Sequence, residues 1–118
     1  MKVDRNKIHQ KFGGRCAYCG EVLPDSSGKF MHIDHVEPLV RNWGSNDCLF
    51  PENDNENNLF PTCIRCNRYK SSLPIESFRY WLKNTPKVLL KNTAFNNAVR
   101  YGMIEVKEWD GLFYFERL

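Results

Sequence analysis

The sequence predicts a small α+β domain that is held together by a metal site. Two CxxC pairs, Cys16–Cys19 and Cys63–Cys66, have the spacing of a tetrahedral zinc site made of thiolates. Between them, residues 29–36 are rich in apolar and β-branched residues typical of a strand. Segments with the apolar spacing of helices follow Asp4 and Pro74. Helices and a short strand around a zinc site are therefore expected.

The first elements in chain order are one helix and one strand. Asp4 is a suitable N-cap for a helix that runs to about Phe12. Residues 29–36 are predicted as a strand, whose period of two residues puts His32 and Asp34 on one face.

The strand is followed by a polar segment with less regular patterning. In a regular strand His35 falls on the face opposite Asp34, so only a bend would bring the two side chains together. Residues 42–58 are rich in Asn, Asp and Gly and are predicted to form a loop. A short second strand is predicted either at 48–50 or near 59–60. Cys48, the fifth cysteine, is interpreted as an ordinary small apolar residue.

The rest of the chain is predicted to be helical up to a final hairpin. One helix is expected at the second CxxC pair, a second from Pro74 through Leu82, and a third from Pro86 to Gly102. The prediction of the third helix rests on six apolar residues: Val88, Leu89, Ala94, Phe95, Ala98 and Val99.

A turn signal near the C-terminus predicts a β-hairpin. Asp110-Gly111 is a strong hairpin turn, and the apolar segments on either side, 103–106 and 112–115, are predicted as its strands. The 118 residues (1–118) are predicted to form a single domain with its core at 16–72 and flanking helices and hairpin at 74–118.

Positive charge is concentrated in one part of the chain. Seven basic residues and one acidic residue lie between Cys63 and Lys91, although the net charge of the whole chain is only +3. Such a segment beside a metal site favours a polyanionic substrate, and an ordinary solvated helix face is the alternative.

Composition also indicates a cellular setting. The N-terminus lacks the apolar region of a signal peptide, and no stretch approaches the roughly 20 apolar residues of a membrane span. A reduced, cytoplasmic location is therefore expected, where paired CxxC motifs indicate metal binding rather than disulfides.

Two motifs resemble those of the HNH endonuclease family. They are IDHVEP at 33–38 and NLFPTCIRCNRYK at 58–70, and with the first CxxC pair they extend the resemblance from Cys16 to about Lys70. The resemblance implies a zinc-stapled ββα-metal (HNH/His-Me finger) core that cleaves DNA phosphodiester bonds to 5′-phosphate and 3′-hydroxyl ends. The ending at 113–116 also weakly resembles small phage-encoded members.

The resemblance assigns a role to each site residue. His35 matches the general base, and Asp34 and Asn67 match the ligands of one catalytic divalent cation. Asn58 matches the residue that braces the hairpin loop and orients the base, with Asn57 as the alternative. Structural zinc is assigned to the four paired cysteines: Cys16, Cys19, Cys63 and Cys66.

Residue chemistry supports these roles independently. Histidine has an ordinary pKa of about 6.5, which suits a base near neutral pH. One carboxylate and one amide oxygen favour a hard ion such as Mg²⁺ or Mn²⁺ over zinc. His32 shares the strand face of Asp34, so contact with the metal or phosphate is possible there, although a surface role is the commoner case.

The expected partner is DNA, with no membrane and either a monomer or a homodimer. Arg65, Arg68 and Lys70 are predicted to contact phosphate, with surface charge as the alternative. The competing function is a catalytically silent zinc module that binds nucleic acid. It would not need the set of Asp34, His35 and Asn67. The motifs do not distinguish nicking from double-strand cleavage and do not predict sequence specificity. They are equally compatible with roles in packaging, restriction and homing.

Overall fold

The α+β class is confirmed by the computed structural model, which describes residues 3–39 and 50–118. The helices and strands, in chain order, are α1 (Arg5–Gln10), β1 (His32–His35), β2 (Leu59–Thr62), α2 (Ile64–Lys70), α3 (Ile75–Leu89) and α4 (Thr93–Arg100). Short 3₁₀ turns cover Pro51–Asn53, Glu56–Asn58 and Tyr114–Arg117.

The described residues form two compact units. One lies within Met1–Ile75 together with Phe113–Leu118, and the other spans Glu76–Leu112. That both belong to one functional domain remains a prediction. Among the helices of the described ranges, none combines the length and apolar character that crossing a bilayer requires.

The first unit contains a ββα arrangement. Strands β1 and β2 pair antiparallel, with Asp34 opposite Phe60 and His35 opposite Leu59. Only Cys63 separates the end of β2 from the start of helix α2 at Ile64. The order of strand, strand and helix therefore agrees with the predicted core.

The predicted N-terminal elements are present, with shorter bounds for the strand. The Asp4 side chain caps α1 by accepting a hydrogen bond from Lys7 N. The strand at 29–36 reduces to β1, because residues before His32 form turns. Of the two alternatives for the second strand, the one near 59–60 is confirmed. Residues 40–49, which include Cys48, lie outside the described residues.

The predicted C-terminal β-hairpin is wrong. Neither predicted strand forms: residues 103–112 are irregular and Tyr114–Arg117 is a 3₁₀ turn. The turn signal itself is real, since Gly111 has φ +85° and Leu112 N donates to Asp110 Oδ1 at 3.0 Å. The backbone after it bonds elsewhere: Phe115 N donates to Ala17 O at 2.9 Å.

These C-terminal residues belong to an aromatic core beneath the first CxxC pair. Ring centroids lie 4.8 Å apart for Phe60 and Phe115, and 5.1 Å apart for Tyr18 and Phe113. Phe113 is buried, and Phe12 contacts both Phe60 and Phe115. The contacts hold Tyr18 in place, and the phenol of this residue reaches the site described below.

In the second unit, the boundary between two helices differs from the prediction. Pro86 was expected to open a helix but lies inside α3. A proline costs a helix one backbone hydrogen bond, and two neighbouring side chains bond to carbonyls of the preceding turn. Asn84 Nδ2 donates to Tyr80 O at 3.0 Å, and Thr85 Oγ1 donates to Trp81 O at 3.0 Å. Helix α4 starts later, after Asn92, whose side chain accepts from Phe95 N.

Candidate active site and metal centre

Local backbone geometry brings the two CxxC pairs together. The first pair forms a tight turn in which Gly20 N donates to Cys16 O at 3.0 Å, with Gly20 at φ +80°. A Cβ at Gly20 would lie 2.9 Å from the ring of Tyr114, so this turn needs glycine for space as well. Ala17 N donates to Pro61 O at 2.9 Å, which joins this turn to β2. Because Cys63 directly follows β2, this strand brings the second CxxC pair close to the first.

The second pair starts α2. Cys63 is the N-cap of the helix, and its Sγ accepts a hydrogen bond from Cys66 N at 3.4 Å. A thiolate at this position is stabilised by the positive end of the helix. The helix therefore places one sulfur at its N-terminus and the next one turn along it.

The four sulfurs form a cluster of metal-binding size. Their Sγ atoms all lie within 4.8 Å of one another, and Cys19 and Cys63 are separated by 3.8 Å. Four thiolates about 2.3 Å from a zinc ion have sulfur–sulfur edges of about 3.8 Å. The cluster can therefore hold a metal such as zinc, as predicted. The four candidate ligands are Cys16, Cys19, Cys63 and Cys66.

Without a cation the thiols oppose one another's ionisation. Hydrogen bonds from Cys19 and Cys66 lower the pKa of Cys16 to about 2. Hydrogen bonding to Cys16 in turn raises the pKa of Cys19 to about 11, and the pKa of Cys66 also rises well above its ordinary value. A divalent cation removes this opposition, so metal binding releases protons from the cluster.

Asp34 lies in a buried network. Its Oδ2 accepts a hydrogen bond from the Tyr18 phenol at 2.6 Å. The same oxygen forms an ion pair with Lys70 Nζ at 3.0 Å. Burial, followed by the charge of Asp34, raises the pKa of Tyr18, so the phenol keeps its proton and donates. Lys70 is 0% exposed, and its ammonium also donates to His35 O at 3.2 Å.

This network revises the role predicted for Lys70. A lysine is almost never fully buried unless its charge is paired. Lys70 has no exposed surface for a phosphate, and its ammonium instead contacts Asp34 and the backbone of His35. The observed contacts of Lys70 are therefore those of a residue that holds Asp34 and His35 in place.

Asn67 lies one turn before Lys70 on α2 and faces the same strand. Its Nδ2 donates to His32 Nδ1 at 2.9 Å. His32 and Asp34 thus share a face of β1, as the strand period predicts, and both are met by side chains of α2. Among the described residues, neither Asp34 Oδ1 nor Asn67 Oδ1 has a hydrogen-bond partner.

His35 points away from Asp34 and makes a different contact. Its Nε2 lies 3.1 Å from Asp54 Oδ1, and its side chain is 28% exposed. A carboxylate only accepts hydrogen bonds, so Nε2 carries a proton, and in the neutral ring Nδ1 keeps its lone pair. The strand remains in register at His35, without the bend that contact with Asp34 would need.

Asn58 joins the segment that carries Asp54 to the end of β1. Its Oδ1 accepts from Glu37 N at 2.9 Å, and its Nδ2 donates to Glu37 O at 2.8 Å and to Asn53 O at 2.7 Å. The alternative residue, Asn57, is exposed. The bracing role proposed from the family pattern therefore suits Asn58.

The other predicted phosphate contacts lie on the surface of α2. Arg68 is exposed, and Arg65 is exposed as well but pairs with Glu21 at 3.0 Å. That ion pair is a surface pair of low strength, so a phosphate can replace its carboxylate.

Sequence reasoning missed two site residues. Tyr18 lies inside the first CxxC pair, where an aromatic residue carries no sign of contact with a carboxylate. Asp54 is one of several acidic residues in a polar segment, and only the fold singles it out. The sequence did contain a pattern that predicts the position of Lys70. Residues three apart on a helix share a face, so Lys70 is expected on the same face of α2 as Asn67.

The comparison with known protein families identifies a match for the part of the chain that carries the site. The sequence profile described as HNH endonuclease matches residues 16–73, which include both CxxC pairs, β1, β2 and α2. No curated protein and no solved structure gives a significant match.

Proposed function

We propose that this chain, which belongs to the HNH endonuclease family through residues 16–73, is a metal-dependent DNA endonuclease. Family membership implies a nuclease-type function with nucleic acid as the substrate. One observation supports the finer proposal. Asp34 and Asn67 each keep one oxygen without a partner among the described residues, and His35 follows Asp34 in β1 with its Nε2 in contact with Asp54.

His35 acts in this proposal as the general base. Its Nδ1 takes a proton from the water that attacks the phosphodiester, because Nε2 already carries the proton donated to Asp54. Asp54 acts as a positioning residue, since it fixes the tautomer and the ring orientation. The ammonium of Lys70, bound to His35 O, limits movement of the backbone at this end of β1.

Asp34 Oδ1 and Asn67 Oδ1 would hold one Mg²⁺ or Mn²⁺ ion. These are hard oxygen ligands, which suit either ion better than zinc. When bound, such an ion stabilises the negative charge that develops on the phosphate and on the departing 3′ oxygen. The products are expected to be 5′-phosphate and 3′-hydroxyl ends.

The direct test is cleavage of supercoiled plasmid by zinc-loaded protein, with and without added Mg²⁺ or Mn²⁺. The proposal expects nicked or linear product only when one of these ions is present. Ligation of the product ends by a DNA ligase checks for a 5′-phosphate next to a 3′-hydroxyl. Zinc-loaded protein that binds DNA without cleaving it under these conditions would favour the silent zinc-binding module instead.

Removing the carboxylate of Asp54 is expected to slow cleavage. An Asp54→Ala variant should lose roughly 10- to 100-fold in kcat with little change in KM, by analogy with outer partners of metal-bound histidines. Nitrogen NMR of His35 should show a mixture of tautomers in place of the Nε2–H form. Asp25→Asn is the matched control, because Asp25 is an exposed loop carboxylate that bonds Ser27 N.

Asp54→Glu should recover part of the lost rate, because it restores an acceptor for Nε2–H. Wild-type kcat and an unchanged His35 tautomer in Asp54→Ala would show that the contact does not orient the base.

Arg68→Ala is expected to weaken DNA binding and its dependence on salt. Each arginine that contacts phosphate adds about one unit to the slope of log affinity against log salt, and Arg68 is exposed on α2, which carries Asn67. Fluorescence anisotropy at several salt concentrations measures that slope. Lys29→Ala is the control, since Lys29 is exposed and precedes the start of β1, whereas the site lies at its end. Equal slopes for Arg68→Ala and wild type would assign Arg68 to ordinary surface charge.

A further inference from the structure

The fully buried Lys70 puts a positive charge directly beside the candidate cation site. Its ammonium lies 3.0 Å from Asp34 Oδ2 and 3.2 Å from His35 O. Tyr18 donates to the same carboxylate oxygen at 2.6 Å. Asp34 is therefore already paired with one full charge and one neutral hydrogen-bond donor before any divalent cation binds.

The charges of the proposed ligands do not favour tight cation binding by the protein alone. Asp34 is the one charged ligand of the pair, and Lys70 balances it; Asn67 is neutral and bonded to His32. Protein affinity for Mg²⁺ or Ca²⁺ rises with the number of charged oxygen ligands, and a net charge of zero gives little attraction. A phosphate of bound DNA would supply both the missing negative charge and a further oxygen ligand.

We propose that Lys70 makes binding of the catalytic cation depend on bound nucleic acid. This inference rests on the proposed function, because it concerns the same cation site. The buried ammonium neutralises Asp34 in the free protein, and the scissile phosphate then completes the site. Lys70 is a positioning residue here, since it acts through Asp34 and His35 and touches no reacting atom.

The cation and DNA must change each other's affinity for the protein by the same factor. If DNA raises the affinity for the cation by some factor, the cation raises the affinity for DNA by the same factor. A factor of about tenfold or more is expected, in the usual range for coupled sites. The free protein should correspondingly keep little Mg²⁺ or Mn²⁺ during purification while it retains its zinc.

The test uses zinc-loaded protein that carries His35→Ala, so that the DNA stays intact during the measurement. Free Mn²⁺ is followed by electron paramagnetic resonance, with and without a DNA duplex. The same titration of the Asp34→Asn variant with duplex corrects for ions bound to DNA alone. We expect binding with duplex to be about tenfold or more tighter than without it. Equal affinities in the two titrations would overturn the inference.

A second variant tests the charge of Lys70 itself. Lys70→Met removes the ammonium but keeps much of the side-chain volume, and it should bind Mn²⁺ without DNA about tenfold or more tighter than wild type. Tyr18→Phe is the matched control, because it removes a hydrogen bond to the same oxygen without changing the charge. A folded Lys70→Met variant with wild-type affinity would overturn the inference.

If Lys70→Met does not fold, the comparison of affinities with and without duplex decides alone. Failure of this inference is distinguishable from failure of the proposed function. An active nuclease that binds Mn²⁺ equally well without DNA contradicts the inference only. Absence of plasmid cleavage by the wild-type protein contradicts the proposed function.

Discussion

Substitution of His35 by alanine is expected to lower the rate of DNA cleavage by about 10²- to 10⁴-fold, the usual contribution of a general base. The imidazole is partly exposed at the end of β1, and its Nε2 contacts Asp54, so Nδ1 is left to accept the proton of the attacking water. The loss should appear in kcat, because the base acts in the chemical step rather than in binding. Single-turnover cleavage of a labelled duplex measures it.

DNA affinity and zinc content serve as controls for the His35→Ala protein. Both should equal those of wild type, since the ring of His35 belongs to neither the four-thiol cluster nor the α2 surface. A variant that binds DNA normally and still cleaves it at the wild-type rate would remove His35 from the mechanism.

Asp34→Ala is a poorer probe of the same site. Lys70 is fully buried against Asp34, so removal of the carboxylate leaves an unpaired charge in the core. Breaking a buried ion pair in this way commonly costs about 3–5 kcal/mol. Loss of activity in that variant would therefore mix loss of the cation with loss of the fold. Asp34→Asn also removes the charge, but its amide oxygen can still accept a hydrogen bond from Lys70 Nζ, so it is the better choice.

Local patterns predicted the parts of the fold that depend on local geometry. The CxxC spacing identified the four sulfurs of the metal cluster, and the helix N-cap at Cys63 explains why the second pair opens a helix. The strand period correctly grouped His32 with Asp34. Each of these inferences needs only the order of a few neighbouring residues.

Contacts between distant residues were the part that local patterns could not supply. Asp54 reaches His35 from 19 residues away, and Tyr18 reaches Asp34 from 16. The Asp110-Gly111 turn was correctly identified, but a turn does not determine what its flanking segments pair with, and the following segment bonds to Ala17 and Tyr18. Pairing partners depend on the whole fold rather than on the turn.

Removal of zinc is expected to unfold the unit that contains both CxxC pairs. Within residues 3–39, 50–75 and 113–118, its regular structure is small: a two-stranded sheet with short helices α1 and α2. A structural zinc site contributes roughly 10 kcal/mol or more, and a whole domain is stable by only about 5–15 kcal/mol. The purified protein should hold one zinc per chain, and a Cys63→Ser variant should hold less and unfold at much lower temperature.

Cys63→Ser is the informative variant because this residue has two roles, as a member of the sulfur cluster and as the N-cap of α2. Serine keeps the capping ability, so any loss of structure reports the metal rather than the cap. Cys48→Ser, a cysteine outside the two CxxC pairs, is the control and should keep its zinc. Elemental analysis and amide NMR spectra after chelation give the decisive measurement. A zinc-free sample that retains a dispersed spectrum would show that the core of this unit is stable without its metal.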